Sequence, residues 1–356
     1  MDVAVTIMNY FKSRESTKVI EQGIAFTRHL TKHDISMSTI SKESCKAAII
    51  DSLEGIKAIE GCCLDACWAL RNFAVTSTGQ AAELDSYLTR QITEIMGKYP
   101  DTEGIQIACC EWLSYLKLPC SPTEDTPADM VTVCYDSILV AMQNFPYGVD
   151  IQKAALAALL HFFTQSGKVS KIIVGKLYKF PDFVIIAEKW DKFPDLLESL
   201  MAALKNEAAD QIFLLEQTCA VLDKVLSKSA QAPTELADAG CTAAVVAQMA
   251  RHPNEEKFHE HACTVLHTLS SVAECRSTVV EEGGIQAVLS SMKDHCESSS
   301  NIRFYGLAIL CDISEACYGT RIEIAKGGGV AFALDALCDE RSLAHAKILL
   351  NLLADY

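Results

Sequence analysis

One phrase of small and apolar positions recurs along the chain: a small residue, an apolar residue four places on, and another seven places on. In "CCLDACWALRNFAV" these are Ala66, Leu70 and Phe73. The phrase returns at Cys109/Leu113/Leu116, Ala155/Leu159/Phe162, Thr218/Leu222/Val225, Ala262/Leu266/Leu269, Gly306/Leu310/Ile313 and Ala346/Leu350/Leu353. A weaker first copy is Gly23/Thr27/Leu30, where a threonine occupies the middle position. Offsets of 0, 4 and 7 share one face of an α-helix, so each phrase predicts a helix with one buried stripe. The small anchor allows a neighbouring helix to approach closely. From anchor to anchor the steps are 43, 43, 46, 63, 44, 44 and 40 residues. Six of the seven cluster near one value. The outlier is that value plus about twenty residues, an insertion of the kind repeat arrays tolerate.

Glycines lock to the same rhythm. Gly240, Gly284 and Gly328 each lie 22 residues past an anchor, in the similar contexts "ADAGCTAAVVAQM", "EEGGIQAVLSSM" and "AKGGGVAFALDAL". Each follows a short helical stretch and precedes an apolar one, where glycine can take the left-handed turn that ends a helix. The unit is therefore a short helix, a glycine corner, a second helix and an anchor-bearing third helix.

Three helices in roughly 42 residues with a glycine corner resemble the armadillo repeat. "ACWALRNFAV" is similar to that family's third helix, including its Trp68-x-x-x-Asn72 pair. The resemblance is strong over Thr234–Tyr356, good over Cys62–Leu116, and weaker over residues 1–45 and the middle. The expected fold is all-α: one right-handed α-solenoid of about eight armadillo-like repeats spanning residues 1–356. HEAT repeats, with two helices and no glycine corner, are the near alternative for the early copies, where Asp85-Ser86 stands at one corner.

Two stretches break the rhythm. Residues 118–129, "LPCSPTEDTPAD", carry three prolines and three acids and read as a solvated surface loop, with Ser121-Pro122 and Thr126-Pro127 as candidate phosphorylation sites. The insertion at 163–183 carries Lys168, Lys171, Lys176 and Lys179 and no acid from Phe163 to Phe180. Within a chain of net charge −15 this inverts the local charge. Two readings stand. The lysines line one wet amphipathic helix, or they form a patch for a small anion or an acidic partner.

The overall acidity argues against a nucleic-acid-binding face, which needs clustered cations against phosphates. No basic leader opens the chain, and no apolar run is long enough for a bilayer, so no membrane insertion is expected. Sixteen cysteines without an export signal read as reduced thiols, an expectation of the cytosol or nucleus. Four of them (Cys67, Cys110, Cys219 and Cys263) follow an anchor directly, a packing position that suits a small, semi-apolar side chain. No phosphate loop, dinucleotide fingerprint or nucleophile elbow occurs. His259, Cys263 and His267 sit at i, i+4 and i+8, but span about 12 Å along a helix and cannot converge on one ion. His29 and His33 read as a solvent-facing pair. Neither catalytic residues, metal ligands nor a cofactor are expected.

In the armadillo family the third helices stack side by side and line a groove, to which the Trp and Asn rows belong. Carried over by position, the row six past the anchor holds His29, Asn72, Tyr115, His161, Lys224, Thr268, Asp312 and Leu352. Seven of the eight can hydrogen-bond, while the rows four and seven past the anchor are almost wholly apolar, a polar ladder beside a buried stripe. With Trp68, that ladder is the expected contact surface for a protein or peptide partner of a non-enzymatic scaffold or adaptor. The Trp–Asn pair occurs once, and the basic N-terminal segment of the nuclear-import branch is absent, so cargo import is a minor alternative. The last apolar phrase has no polar helix after it, which makes self-association through a solenoid end a further expectation.

Overall fold

The computed structural model describes residues 17–32, 39–76, 86–116, 128–173, 193–205, 212–227, 231–316 and 318–354, and no strand occurs among them. They fall into two compact units, Met1–Glu188 and Lys189–Tyr356.

The first unit contains α1 (Thr17–Lys32), α2 (Thr39–Ile56), α3 (Glu60–Thr76), α4 (Ser86–Lys98), α5 (Glu103–Leu113), α6 (Ala128–Asn144) and α7 (Val149–Ile173). Its anchor-bearing helices stack in register, α1 on α3, α3 on α5 and α5 on α7, and α2, α4 and α6 form a second layer. The second unit contains α8 (Phe193–Lys205), α9 (Ile212–Leu226), α10 (Ala232–Asp238), α11 (Cys241–Arg251), α12 (Glu256–Ser271), α13 (Arg276–Glu281), α14 (Gly284–His295), α15 (Ser300–Ala316), α16 (Tyr318–Lys326), α17 (Gly329–Asp335) and α18 (Leu343–Leu352). Here α9, α12, α15 and α18 form the anchor row, and α8, α11 and α14 pack in sequence behind it. The short α10, α13 and α16 complete three-helix repeats. In the first unit the described residues give two helices per repeat.

Burial follows the phrase. Ala66, Cys109, Ala155, Thr218, Ala262 and Ala346 are all fully buried anchors. Gly306 meets its neighbour most closely, since a Cβ there would lie 2.5 Å from Met292 Sδ. The positions four on are buried from Leu70 to Leu310, whereas Leu350 in the last helix is half-buried. Among the described residues the last helix has a third-helix neighbour on one side only. The misplaced threonine of the first copy is accommodated locally: Thr27 is buried and its hydroxyl donates to the Gly23 carbonyl one turn back at 2.9 Å.

The glycine corner is present, with one correction. Gly240 and Gly328 have φ of +82° and +97°, but in the middle copy the left-handed residue is Gly283, at +82°, and not Gly284. Gly284 does a different job at the start of α14, where a Cβ would lie 2.6 Å from the Val279 carbonyl oxygen. One glycine makes the turn and the next lets the second helix start against the first.

A polar row the phrase does not reveal joins helix two to helix three. Three residues before the anchor, a donor reaches the carbonyl seven residues earlier, at the exposed end of the second helix. Cys63 Sγ donates to Ile56 O at 3.4 Å, and Gln106 Nε2 to Tyr99 O and Met96 O at 2.9 Å each. Gln152 Nε2 donates to Phe145 O and Met142 O at 2.9 Å each, His259 Nε2 to His252 O at 3.0 Å, and Arg303 Nη2 to Cys296 O at 2.6 Å. Helix ends leave carbonyls without intrahelical partners, and this row supplies those partners.

The interrupting segments are seen in part. The proline-bearing loop lies outside the described residues up to position 127, and α6 begins at Ala128. Helix α7 continues to Ile173, which places Lys168 and Lys171 on its last turns. Lys176 and Lys179 lie outside the described residues, as does His33. No helix among the described residues is long and apolar enough to cross a membrane.

Candidate partner-binding face

The stacked third helices of each unit present one continuous face. In the first unit its centre is Trp68, half-buried on α3 and flanked by two guanidiniums, Arg28 at 5.9 Å and Arg71 at 5.8 Å from its ring centroid. Arg28 pairs with Asp65 of the next repeat at 2.5 Å, and Arg71 pairs with Glu111 of the repeat after its own. The pairs lie near the surface, where each contributes about 0–1 kcal/mol. Their consequence is geometric: they fix both arginines over the indole and hold adjacent third helices in register.

The structure alters the reading of the polar ladder. Asn72 is buried, at 8 % exposure, and faces its neighbours instead of solvent. Its Nδ2 donates to Thr31 Oγ1 of the preceding repeat at 3.1 Å, and its Oδ1 accepts from Arg71 Nη1 at 3.1 Å. His161 Nε2 meets Leu116 O of the repeat before it. Asp312 accepts from Ser270 Oγ, again one repeat back, at 3.0 Å. These three members of the row are inter-repeat clamps. Thr268 donates within its own helix to Thr264 O at 3.1 Å, and Lys224 pairs with Asp223 at 2.9 Å. His29 and Tyr115 are exposed, Tyr115 at 39 %. On the first unit's face His29 and Tyr115 are thus exposed and Trp68 half-buried, and Lys224, Thr268 and Asp312 are half-buried on the second unit's face.

The second unit adds a cluster that the ladder row does not contain. His267 of α12 stacks on Tyr305 of α15 at 5.4 Å, and Phe304 meets His345 of α18 edge-on at 5.0 Å. Arg341 lies over Phe304 at 4.5 Å and donates to Asn301 Oδ1 at 2.7 Å. Tyr305 and His345 sit one place before their anchors, Phe304 two, and Asn301 and Arg341 five, whereas His267 sits five places after its own. Burial pushes the His267 imidazole below its ordinary range and keeps it neutral, with Asp312 opposing the shift.

His259, Cys263 and His267 meet different partners. His259 is buried and hydrogen-bonded through both ring nitrogens, to His252 O and to Ser291 Oγ at 2.9 Å. Cys263 faces Ser291 as well, while His267 belongs to the aromatic cluster. Among the described residues no group of three or more His, Cys, Asp or Glu side chains is arranged to hold a metal ion.

No family model and no curated protein matches the chain. Solved structures do. A structure of the interaction between cadherin and beta-catenin aligns over 98 % of this chain and 68 % of its own, at 13 % identity and a TM-score of 0.57. A designed armadillo repeat protein, YIII(Dq)4CqI, aligns over 74 % of this chain and 98 % of its own, at 13 % identity and 0.52. A second designed armadillo repeat protein, in complex with the peptide (KR)4, aligns over the same shares at 12 % identity and 0.51. With the anchor spacing, the glycine corners and the stacked third helices, these likenesses establish an all-α solenoid of armadillo-like repeats.

Proposed function

We propose that the protein is a non-enzymatic scaffold that binds a segment of a protein partner along the third-helix face. The observation that carries this is the pre-ordered face around Trp68. Its two flanking guanidiniums are held by carboxylates of neighbouring repeats, and Tyr115 stands exposed one repeat on. A large, rigid aromatic in a fixed polar frame is the kind of anchor on which binding energy concentrates. Similar solved structures include one with a bound peptide and one of a cadherin–beta-catenin interaction, which supports a peptide or protein ligand for this chain also. We place the activity in the cytosol or nucleus, where the cysteines stay reduced.

The test is the double variant Trp68→Ala/Tyr115→Ala. Neither change removes an inter-repeat clamp, so the fold is expected to persist by circular dichroism. Recovery of the co-purifying partner is expected to drop at least about tenfold, the loss of one anchor side chain of about 1.4 kcal/mol or more. Undiminished recovery with the fold intact removes this face from the account.

A further inference from the structure

Five of the sixteen cysteines (Cys62, Cys63, Cys67, Cys109 and Cys110) fall in two adjacent third helices, α3 and α5. Two of them meet. The Cys109 thiol donates to Cys67 Sγ at 3.5 Å across 42 positions of sequence. Cys109 is the anchor of α5, and Cys67 directly follows the anchor of α3, which packs against α5. The two sulfurs therefore lie where α3 and α5 pack against each other. Both residues are almost fully buried, at 1 % and 0 % exposure. In the same after-anchor row Cys263 faces the Ser291 hydroxyl instead.

We infer that Cys67 and Cys109 are a latent disulfide, closed by a small peroxide to staple the second and third repeats together beneath Trp68. In the first step the Cys67 sulfur, as thiolate, attacks one oxygen of hydrogen peroxide. The O–O bond breaks, hydroxide leaves and is protonated to water, and Cys67 becomes a sulfenic acid. Cys109 sulfur then attacks Cys67 sulfur. The S–O bond breaks, the hydroxide departs with the Cys109 proton as a second water, and the S–S bond forms. Two thiols are oxidised and one peroxide is reduced to two waters.

Burial, with its hydrogen bond to Cys67, holds the Cys109 thiol well above the ordinary range and so in its protonated form while the unit is closed. Thiolate is the attacking species, so the closed unit resists the reaction. Because both sulfurs are dry, the reaction proceeds through transient opening of the first unit, and its rate rises in sub-denaturing urea. Once closed, the bridge restricts the unfolded chain and makes the same opening rarer.

The experiment uses the full chain carrying Cys338→Ser, which removes an exposed thiol able to link two molecules. The reduced protein is treated with hydrogen peroxide with and without sub-denaturing urea, alkylated, digested without reductant and mapped by mass spectrometry. The expected result is a peptide pair joined through Cys67 and Cys109 and lighter by two hydrogens, formed faster in urea. A raised thermal midpoint, reversed by dithiothreitol, is expected to accompany it. Adding Cys109→Ala, the residue that Ala66, Ala155 and Ala262 provide at the same position, is expected to abolish both signals while preserving the helical spectrum. Recovery of Cys67 and Cys109 as alkylated thiols in both conditions, with other cysteines oxidised, overturns the inference. So does a midpoint shift that persists in the Cys109→Ala protein.

Discussion

Ala262→Leu is expected to destabilise the second unit by about 3 kcal/mol, at the upper end of the usual overpacking range. Ala262 is fully buried on α12, which packs against α9 on one side and α15 on the other. At the equivalent anchor Gly306 an added Cβ would already lie 2.5 Å from Met292 of the second-layer helix α14. A leucine at a fully buried anchor must therefore displace packed neighbours to make room for its added methyl groups. Denaturant unfolding monitored by circular dichroism measures the cost. A loss below about 0.5 kcal/mol, the level of an ordinary surface substitution, would show that the small anchor does not set the helix spacing.

His259→Leu is expected to cost about 1–3 kcal/mol and to change the pH dependence of stability. In the native protein Nε2–H donates to His252 O, so Nδ1 is the nitrogen that accepts the Ser291 hydroxyl. Leucine fills most of the volume but takes this partner from the Ser291 hydroxyl, at about 1–3 kcal/mol for a buried group left unsatisfied, while the His252 carbonyl keeps its bond from the Glu255 N–H at 3.3 Å. The same burial sets the titration. Burial pushes the His259 imidazole below its ordinary range, the His252 carbonyl bond opposes that, and His295, stacked at 5.0 Å, adds to the lowering. Asp294 and Glu255 oppose it from the second-layer side and the helix start.

The sign of the pH effect follows. As pH falls below about 6.5 the unfolded chain takes up a proton on this histidine, while the native protein still resists it. Stability from this group is complete above that pH and is lost progressively below it, down to the lowered native value. His267 is shifted in the same direction by burial, so the variant should retain part of the slope. Unfolding free energies at a series of pH values from 7.5 to about 5 measure the difference. Equal slopes in the two proteins would mean that His259 is not held neutral by its site.

The difference between these two sites also explains what could be read from the sequence. Ala262 belongs to a pattern of residue sizes at offsets 0, 4 and 7, and that pattern is local, so eight helices and their order were legible without a structure. His259 belongs to a row defined by a job. Cys63, Gln106, Gln152, His259 and Arg303 share a position and a carbonyl target, but only the two glutamines share a residue type, so little repeats along the letters. The row becomes visible only when the end of the second helix is known to lie beside it.

The stacking behind the candidate face was legible in the sequence, and the contacts of its side chains less so. Trp68 lies on α3, whereas Tyr115 lies in the turn just past the end of α5. Asn72 shares their face by helical arithmetic, yet its amide is satisfied by Thr31, a partner 41 residues away that periodicity cannot identify. Asp312 and Ser270 repeat the lesson. A polar residue beside a buried stripe can face solvent or bind the next repeat, and spacing alone does not choose. The cluster of Phe304, Tyr305, His345 and Arg341 was hidden for a related reason: its members come from different offsets on successive helices. The left-handed glycine was misplaced by one position because Gly283 and Gly284 are adjacent, and only the backbone tells the turn from the close approach.

The central claim, that a partner segment lies along the third-helix face, is tested most directly by site-specific photo-crosslinking. A photoreactive phenylalanine replaces Tyr115 on that face in one protein, and Tyr87, exposed on α4 in the second layer, in another. Each is irradiated in the presence of the protein that co-purifies with the unmodified chain. The account predicts an adduct with that protein from position 115 and none from position 87. An adduct from position 87 with none from 115 would contradict it.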